Sequence, residues 1–185
     1  MRSLLASIAL AITMPLCLQA HADSFSLSST DITEGQPMGK AQEFTGFGCD
    51  GGNRSPQLSW ANAPAGTEAF AIMAYDPDAP TGSGWWHWQL INIPKTVTEL
   101  PAGAGSASGD AAPAGSRHIK NDFGVAAFGG ACPPKGHGVH HYQFTVYALS
   151  QMLELPEDPS GALTGYMVMA NSLGSATLEA LYERN

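Results

Sequence analysis

Residues 69–75 are seven apolar positions in a row, closed at once by Asp76-Pro77-Asp78-Ala79-Pro80. A run this short, cut off by turn formers, is too brief for a buried helix and suits a strand covered on both faces. Three further segments carry strand patterns. Residues 56–60 are bounded by turn formers, and residues 86–93 are rich in aromatic and β-branched side chains. Residues 141–149 alternate, with Tyr142, Phe144, Val146 and Ala148 on one face. Strict period-two alternation marks a half-buried strand. By the same rule Trp86 and Trp88 share one face and His87 points to the other. Near the end, Ala176, Leu178, Ala180 and Tyr182 alternate with Thr177, Glu179, Leu181 and Glu183, so a last strand is expected, although a helix competes for that stretch. One helix is predicted from Ser160 as N-cap to about Asn171, stopped by Gly174, with Leu163, Tyr166, Met167 and Ala170 on its apolar side.

The expected fold is therefore mainly β, with a short helix in the C-terminal region. Glycine and proline supply 34 of 185 residues, which fits a folded chain with many tight turns. The stretch 101–115 is nearly all Ala, Gly, Ser and Pro and reads as a mobile surface excursion. No repeat or interdomain linker is visible.

The first residues read as an address. Met1-Arg2-Ser3 is followed by an apolar stretch to Leu18 and by Ala20-His21-Ala22, a small-x-small cleavage signal. The division expected is a signal peptide over 1–22 and a single domain over 23–185, giving a periplasmic or secreted protein. The apolar run is short for a membrane span. Cys17 lies in the discarded segment and lacks a good lipoprotein context. Loss of Arg2 leaves 7 basic and 16 acidic residues, a net charge of −9. An acidic surface repels phosphate backbones, which argues against nucleic-acid binding. Two cysteines remain, Cys49 and Cys132. In an oxidising compartment a lone pair tends to join, so a disulfide is expected, with two buried thiols as the alternative.

Polar chemistry gathers in two places. One is the Asp76-Pro77-Asp78 segment. The other runs from Pro133-Pro134 through His137 and His140-His141-Tyr142. Between them lies His87, flanked by tryptophans and in need of a buried partner, for which an aspartate is the obvious choice. His140 and Tyr142 share a face with core-directed Phe144 and so look inward from the strand's mouth. Several readings compete. His87, His137, His140 and Asp78 could hold a metal, but the spacing lacks the usual structural-zinc pattern. A serine or cysteine hydrolase lacks the nucleophile elbow. The histidines could simply satisfy core hydrogen bonds. The remaining reading is a small anion pocket in which imidazoles, a phenol and glycine-loop N–H groups are donors and the aspartates orient the rings.

Asp76-Pro77-Asp78-Ala79-Pro80, Trp86-His87-Trp88 with Asn92, and the run from Gly129-Gly130-Ala131-Cys132-Pro133-Pro134 to His140-His141-Tyr142 together resemble the phosphatidylethanolamine-binding protein family, also called the Raf kinase inhibitor-like family. The signal and the cysteine pair resemble its exported bacterial YbhB/YbcL branch. Ala131 departs from the family's frequent proline, and His137 falls at a variable position outside the implied site. The resemblance implies an antiparallel β-sandwich, a large central sheet packed on a smaller one, with a helix near the C-terminus. It also implies a ligand pocket of Asp76, Asp78, His87, Pro134, His140 and Tyr142. His87 and His140 would donate to an anion, Tyr142 would add a hydroxyl, and Asp76 and Asp78 would fix tautomers and could attract an ammonium head. The expected ligand is a small phosphate-like or carboxylate anion or a phospholipid headgroup, bound without a cofactor or metal. The expected role is to modulate a protein partner rather than to catalyse. An interaction or inhibitor module and a weak phosphoester hydrolase stand as alternatives, and edge strands permit a homodimer.

Overall fold

The computed structural model describes residues 24–185. The proposed signal peptide and Cys17 lie outside these described residues. The central sheet has five antiparallel strands in the order β10-β9-β5-β6-β8. They are β5 (Ala69–Asp76), β6 (Trp85–Pro94), β8 (Arg117–Ile119), β9 (His140–Leu149) and β10 (Ser172–Tyr182). A three-stranded sheet pairs β1 (Ser26–Ser28), β4 (Leu58–Ala61) and β7 (Glu99–Leu100), and a small hairpin pairs β2 (Thr45–Gly46) with β3 (Cys49–Asp50). The single helix among the described residues is α1 (Gly161–Ala170). The last segment is a strand, paired with β9 along its whole length.

The apolar run of β5 sits in the middle of the large sheet and is covered on both faces. Phe70, Ile72 and Ala74 point into the main core. They meet Leu58, Trp60 and Leu100 of the three-stranded sheet, and Phe144 and Val146 of β9. Ala69, Ala71 and Met73 point the other way, against Val168 of α1 and Leu153. Burying Phe144, Leu58 and Ile72 fully stabilises the fold by roughly 1.5–3 kcal/mol each.

Three local expectations are corrected. First, Trp86 and Trp88 do not share a face. Pairing with β5 shifts register at His87, where Ala74 opposes Trp88 and Tyr75 opposes Trp86. One residue is absorbed in a bulge, so Trp88 enters the main core while Trp86 packs on the helix side. Second, α1 begins at the Ser160 cap, whose hydroxyl accepts from Leu163 N at 3.1 Å. It ends at its Asn171 cap as expected, but Gly174, expected to stop it, lies in β10 beside a bulge. Its buried residues are Thr164, Gly165 and Val168, while Leu163 and Tyr166 face outward. Periodicity cannot show that the small side is the packed one: a Cβ on Gly161 would stand 2.6 Å from the Trp86 ring. Third, the Ala/Gly/Ser stretch lies at the surface after Gly105 but is pinned near its start. Ala104 is buried, and Gly105 N donates to Ser55 Oγ at 2.9 Å.

Candidate functional site

Three segments converge at one end of the large sheet. Asp76 ends β5, and His140 and Tyr142 begin β9 beside it. The β6 bulge turns His87 toward the same side, 5.1 Å from the Tyr142 ring. His87 is locked by the segment that follows Phe128. Gly129 N donates to His87 O at 2.8 Å, and His87 Nδ1 lies 2.7 Å from Gly129 O. Gly130 N donates to Asn53 Oδ1 at 2.7 Å, and a Cβ there would stand 2.3 Å from Gln42 O. The backbone packs that tightly only without a side chain.

These groups form one end of a cavity of about 210 Å³. Its polar lining includes Asp76, His87, His140 and Tyr142, all nearly sealed from solvent. Its apolar rim includes Phe47, Pro80, Trp85, Phe123, Pro133 and Pro134. The disulfide Cys49–Cys132 joins the β2–β3 hairpin to the rim loop. Arg184 reinforces that join: its guanidinium donates to Gly48 O at 2.7 Å and Pro133 O at 3.2 Å. Of the six residues expected to line the pocket, five do so. Asp78 turns away: its Oδ2 accepts from His141 N at 2.8 Å and Nδ1 at 2.7 Å.

The partners decide the chemistry. Asp76 Oδ2 is 2.7 Å from His140 Nδ1, and His140 Nε2 is 2.8 Å from His137 Nδ1. His137, left out on sequence grounds, thus bonds the outer nitrogen of His140. No aspartate holds His87; the carbonyl of Gly129 does. A carbonyl can only accept, so Nδ1 carries the proton and the Nε2 of neutral His87 is a lone pair. Burial pushes the His87 pKa down, against the pull of the Gly129 carbonyl and the Asp76 charge. Burial, aided by Asp76, holds the Tyr142 phenol well above its ordinary range, so it stays a donor. On Asp78, burial works upward but the His141 bonds outweigh it and lower the carboxyl, while Asp78 raises His141.

Two buried donors on cavity-lining side chains have no partner: Tyr142 Oη and Trp85 Nε1. Such groups are rare, because leaving one unmade costs about 1–3 kcal/mol. Sequence reasoning missed Trp85, Phe123 and Phe47, since rim position depends on loops that carry no periodicity. No cluster of three or more acidic, histidine or cysteine groups suited to a metal occurs among the described residues.

The family model described as "Phosphatidylethanolamine-binding protein" matches residues 28–183. This chain belongs to that family. It is 48% identical over 184 residues to the UPF0098 protein YbcL of Escherichia coli (strain K12), covering 99% of each chain. It is 45% identical over 157 residues to YbhB of the same organism, covering 84% of this chain and 98% of YbhB. The crystal structure of E. coli YbcL, described as a new member of the mammalian PEBP family, superposes with a TM-score of 0.85 at 51% identity, covering 87% of this chain and 99% of YbcL. The match to this family spans the segments that build the cavity. No helix among the described residues is long and apolar enough to cross a membrane.

Proposed function

We propose that this phosphatidylethanolamine-binding protein family member is an exported binding protein. Its cavity takes a small phosphate or carboxylate anion, free or as part of a phospholipid headgroup, without turnover. It uses the occupied site to modulate a protein partner. The observation that carries the reading is the Tyr142 hydroxyl, buried near the Asp76 carboxylate without a well-formed hydrogen bond to it, and held in its donor form among the polar groups of the cavity. An anion oxygen is the natural acceptor for it. The Asp76–His140 pair and the Gly129–His87 bond fix two ring orientations in advance, which lowers the entropy lost on binding. Both carboxylates proposed to attract an ammonium group are already bonded to imidazoles, so the support is for the anionic half of a headgroup. The cavity's cysteine is in the disulfide, which favours capture over nucleophilic chemistry. Export is supported by the positive, apolar and small-x-small pattern of residues 1–22.

Calorimetry with inorganic phosphate, acetate and phosphoethanolamine tests the reading. Binding is expected for at least one of them, weakened roughly tenfold in Tyr142→Phe by loss of one hydrogen bond to a charge. Silence with all three, or equal binding by the variant, removes the site.

A further inference from the structure

The hairpin β2–β3 turns through Phe47-Gly48 at φ values of +53° and +79°. A two-residue turn with both central residues left-handed favours Asn-Gly, because a bulky side chain is strained there. Phe47 nevertheless occupies the first position, and its side chain is 74% exposed. A strained backbone and an uncovered aromatic ring both work against folding, and they coincide in one residue. Residues held in sparsely populated backbone regions persist where the surroundings enforce them and cluster at ligand clamps. Here the enforcement is visible. Cys49, two residues on, is bonded to Cys132, and Arg184 grips the Gly48 carbonyl.

The ring is also well placed. Phe47 lines the cavity rim, 5.8 Å from Phe123, whose ring in turn stands 5.4 Å from His87. Trp85 meets Phe123 edge-on at 5.3 Å. The cavity thus has a polar end that fits an anion and an aromatic end made by Phe47, Trp85 and Phe123. A bare tetrahedral anion of five heavy atoms fills only part of 210 Å³. Neither carboxylate of the Asp76-Pro77-Asp78 segment is free to pair with a cation on the ligand's far end.

We infer that Phe47 is a specificity-determining residue, and that the cavity selects organic anions carrying a flat aromatic substituent next to the charged group. The inference rests on the anion-binding reading above and goes beyond it by naming the other half of the ligand. The hairpin turn is strained so that this ring faces the ligand rather than the core.

The test compares three probes by calorimetry or line-broadening: inorganic phosphate, phenyl phosphate and phosphoethanolamine. Wild-type protein is expected to bind phenyl phosphate roughly fivefold or more tightly than inorganic phosphate, the scale of one aromatic pair. Phe47→Asn suits the left-handed turn and should fold; Phe47→Gly, indifferent to the sign of φ, is the second variant. In both, the ratio of phenyl phosphate to inorganic phosphate affinity is expected to fall below roughly twofold. The ratio of phosphoethanolamine to inorganic phosphate affinity should be the same in both variants as in the wild type. Equal binding of phosphate and phenyl phosphate by wild type, or a preference that survives both substitutions, overturns the inference alone. A variant effect confined to phosphoethanolamine also overturns it, by pointing to cation recognition at the ring. Failure of wild type to bind any probe overturns the anion site and this inference with it.

Discussion

Asp76 and His140 stand 64 positions apart in the chain, yet Oδ2 and Nδ1 are 2.7 Å apart and both side chains are almost wholly excluded from water. A buried polar pair of this kind is tolerated because each member satisfies the other. It ties the end of β5 to the start of β9 and fixes the imidazole plane that meets the cavity.

Replacing Asp76 by Ala leaves His140 Nδ1 without its acceptor. Urea unfolding should show a loss of about 1–3 kcal/mol, the penalty for an unmade buried hydrogen bond. Phosphate binding should fall more than the stability loss explains, because the ring is no longer oriented. Asp76→Asn, which keeps an acceptor oxygen, should recover most of the stability.

Acidification should destabilise the fold through its buried imidazoles. Burial lowers the pKa of His87 and of His118 below the ordinary 6.5. The unfolded chain therefore binds more protons as pH falls through about 6.5, and stability declines from there until the folded pKa values are reached. The Asp78–His141 pair acts oppositely for its histidine. It is 39–45% exposed, however, so solvent screening leaves it well under about 1 kcal/mol. Thermal melts from pH 8 to pH 5 should show a falling Tm, with a shallower fall in His87→Gln. Phosphate binding should draw a proton onto His87 Nε2, so its effect on Tm should grow toward the acidic end.

Reduction of Cys49–Cys132 removes a cross-link spanning 83 positions. On the chain-entropy account that is a loss of up to about 4–5 kcal/mol, with about 2–4 typical of measured bridges. Unfolding in the presence and absence of reductant should differ by that order. Alkylation mass spectrometry should find both thiols blocked until reductant is added.

Arg184→Ala should loosen the rim without unfolding the sheet. The guanidinium bonds Gly48 O and Pro133 O, and Gly136 N donates to Arg184 O at 2.8 Å. The last bond is a backbone one and survives the substitution. Hydrogen exchange at residues 46–50 should quicken while β5 and β9 remain protected.

The long elements were legible because burial imprints a period. The seven apolar positions before Asp76 announced a central strand, and alternation after His140 announced β9. The Ser160 cap marked the helix start. Elements of two or three residues, such as β2, β3, β7 and β8, leave no period to read. The candidate site was legible in part. His140 and Tyr142 follow from strand geometry, whereas Asp76 and Asp78 enter only through the family resemblance, and the turn after β5 swings Asp78 onto His141. The partner of His87 was invisible, since a backbone carbonyl from a glycine pair leaves no side-chain signature. The outward face of α1 shows the same limit, because glycines 161 and 165 bring the helix onto Trp86.

The irregularity at residue 87 makes one strand work in two phases. Trp85 and His87 line the cavity, Trp86 props the helix, and Trp88 fills the core. A regular strand would alternate these roles and send His87 and Trp88 to opposite sides. Cavity-facing and core-facing neighbours therefore sit side by side, with the Trp88 packing one peptide away from the cavity wall.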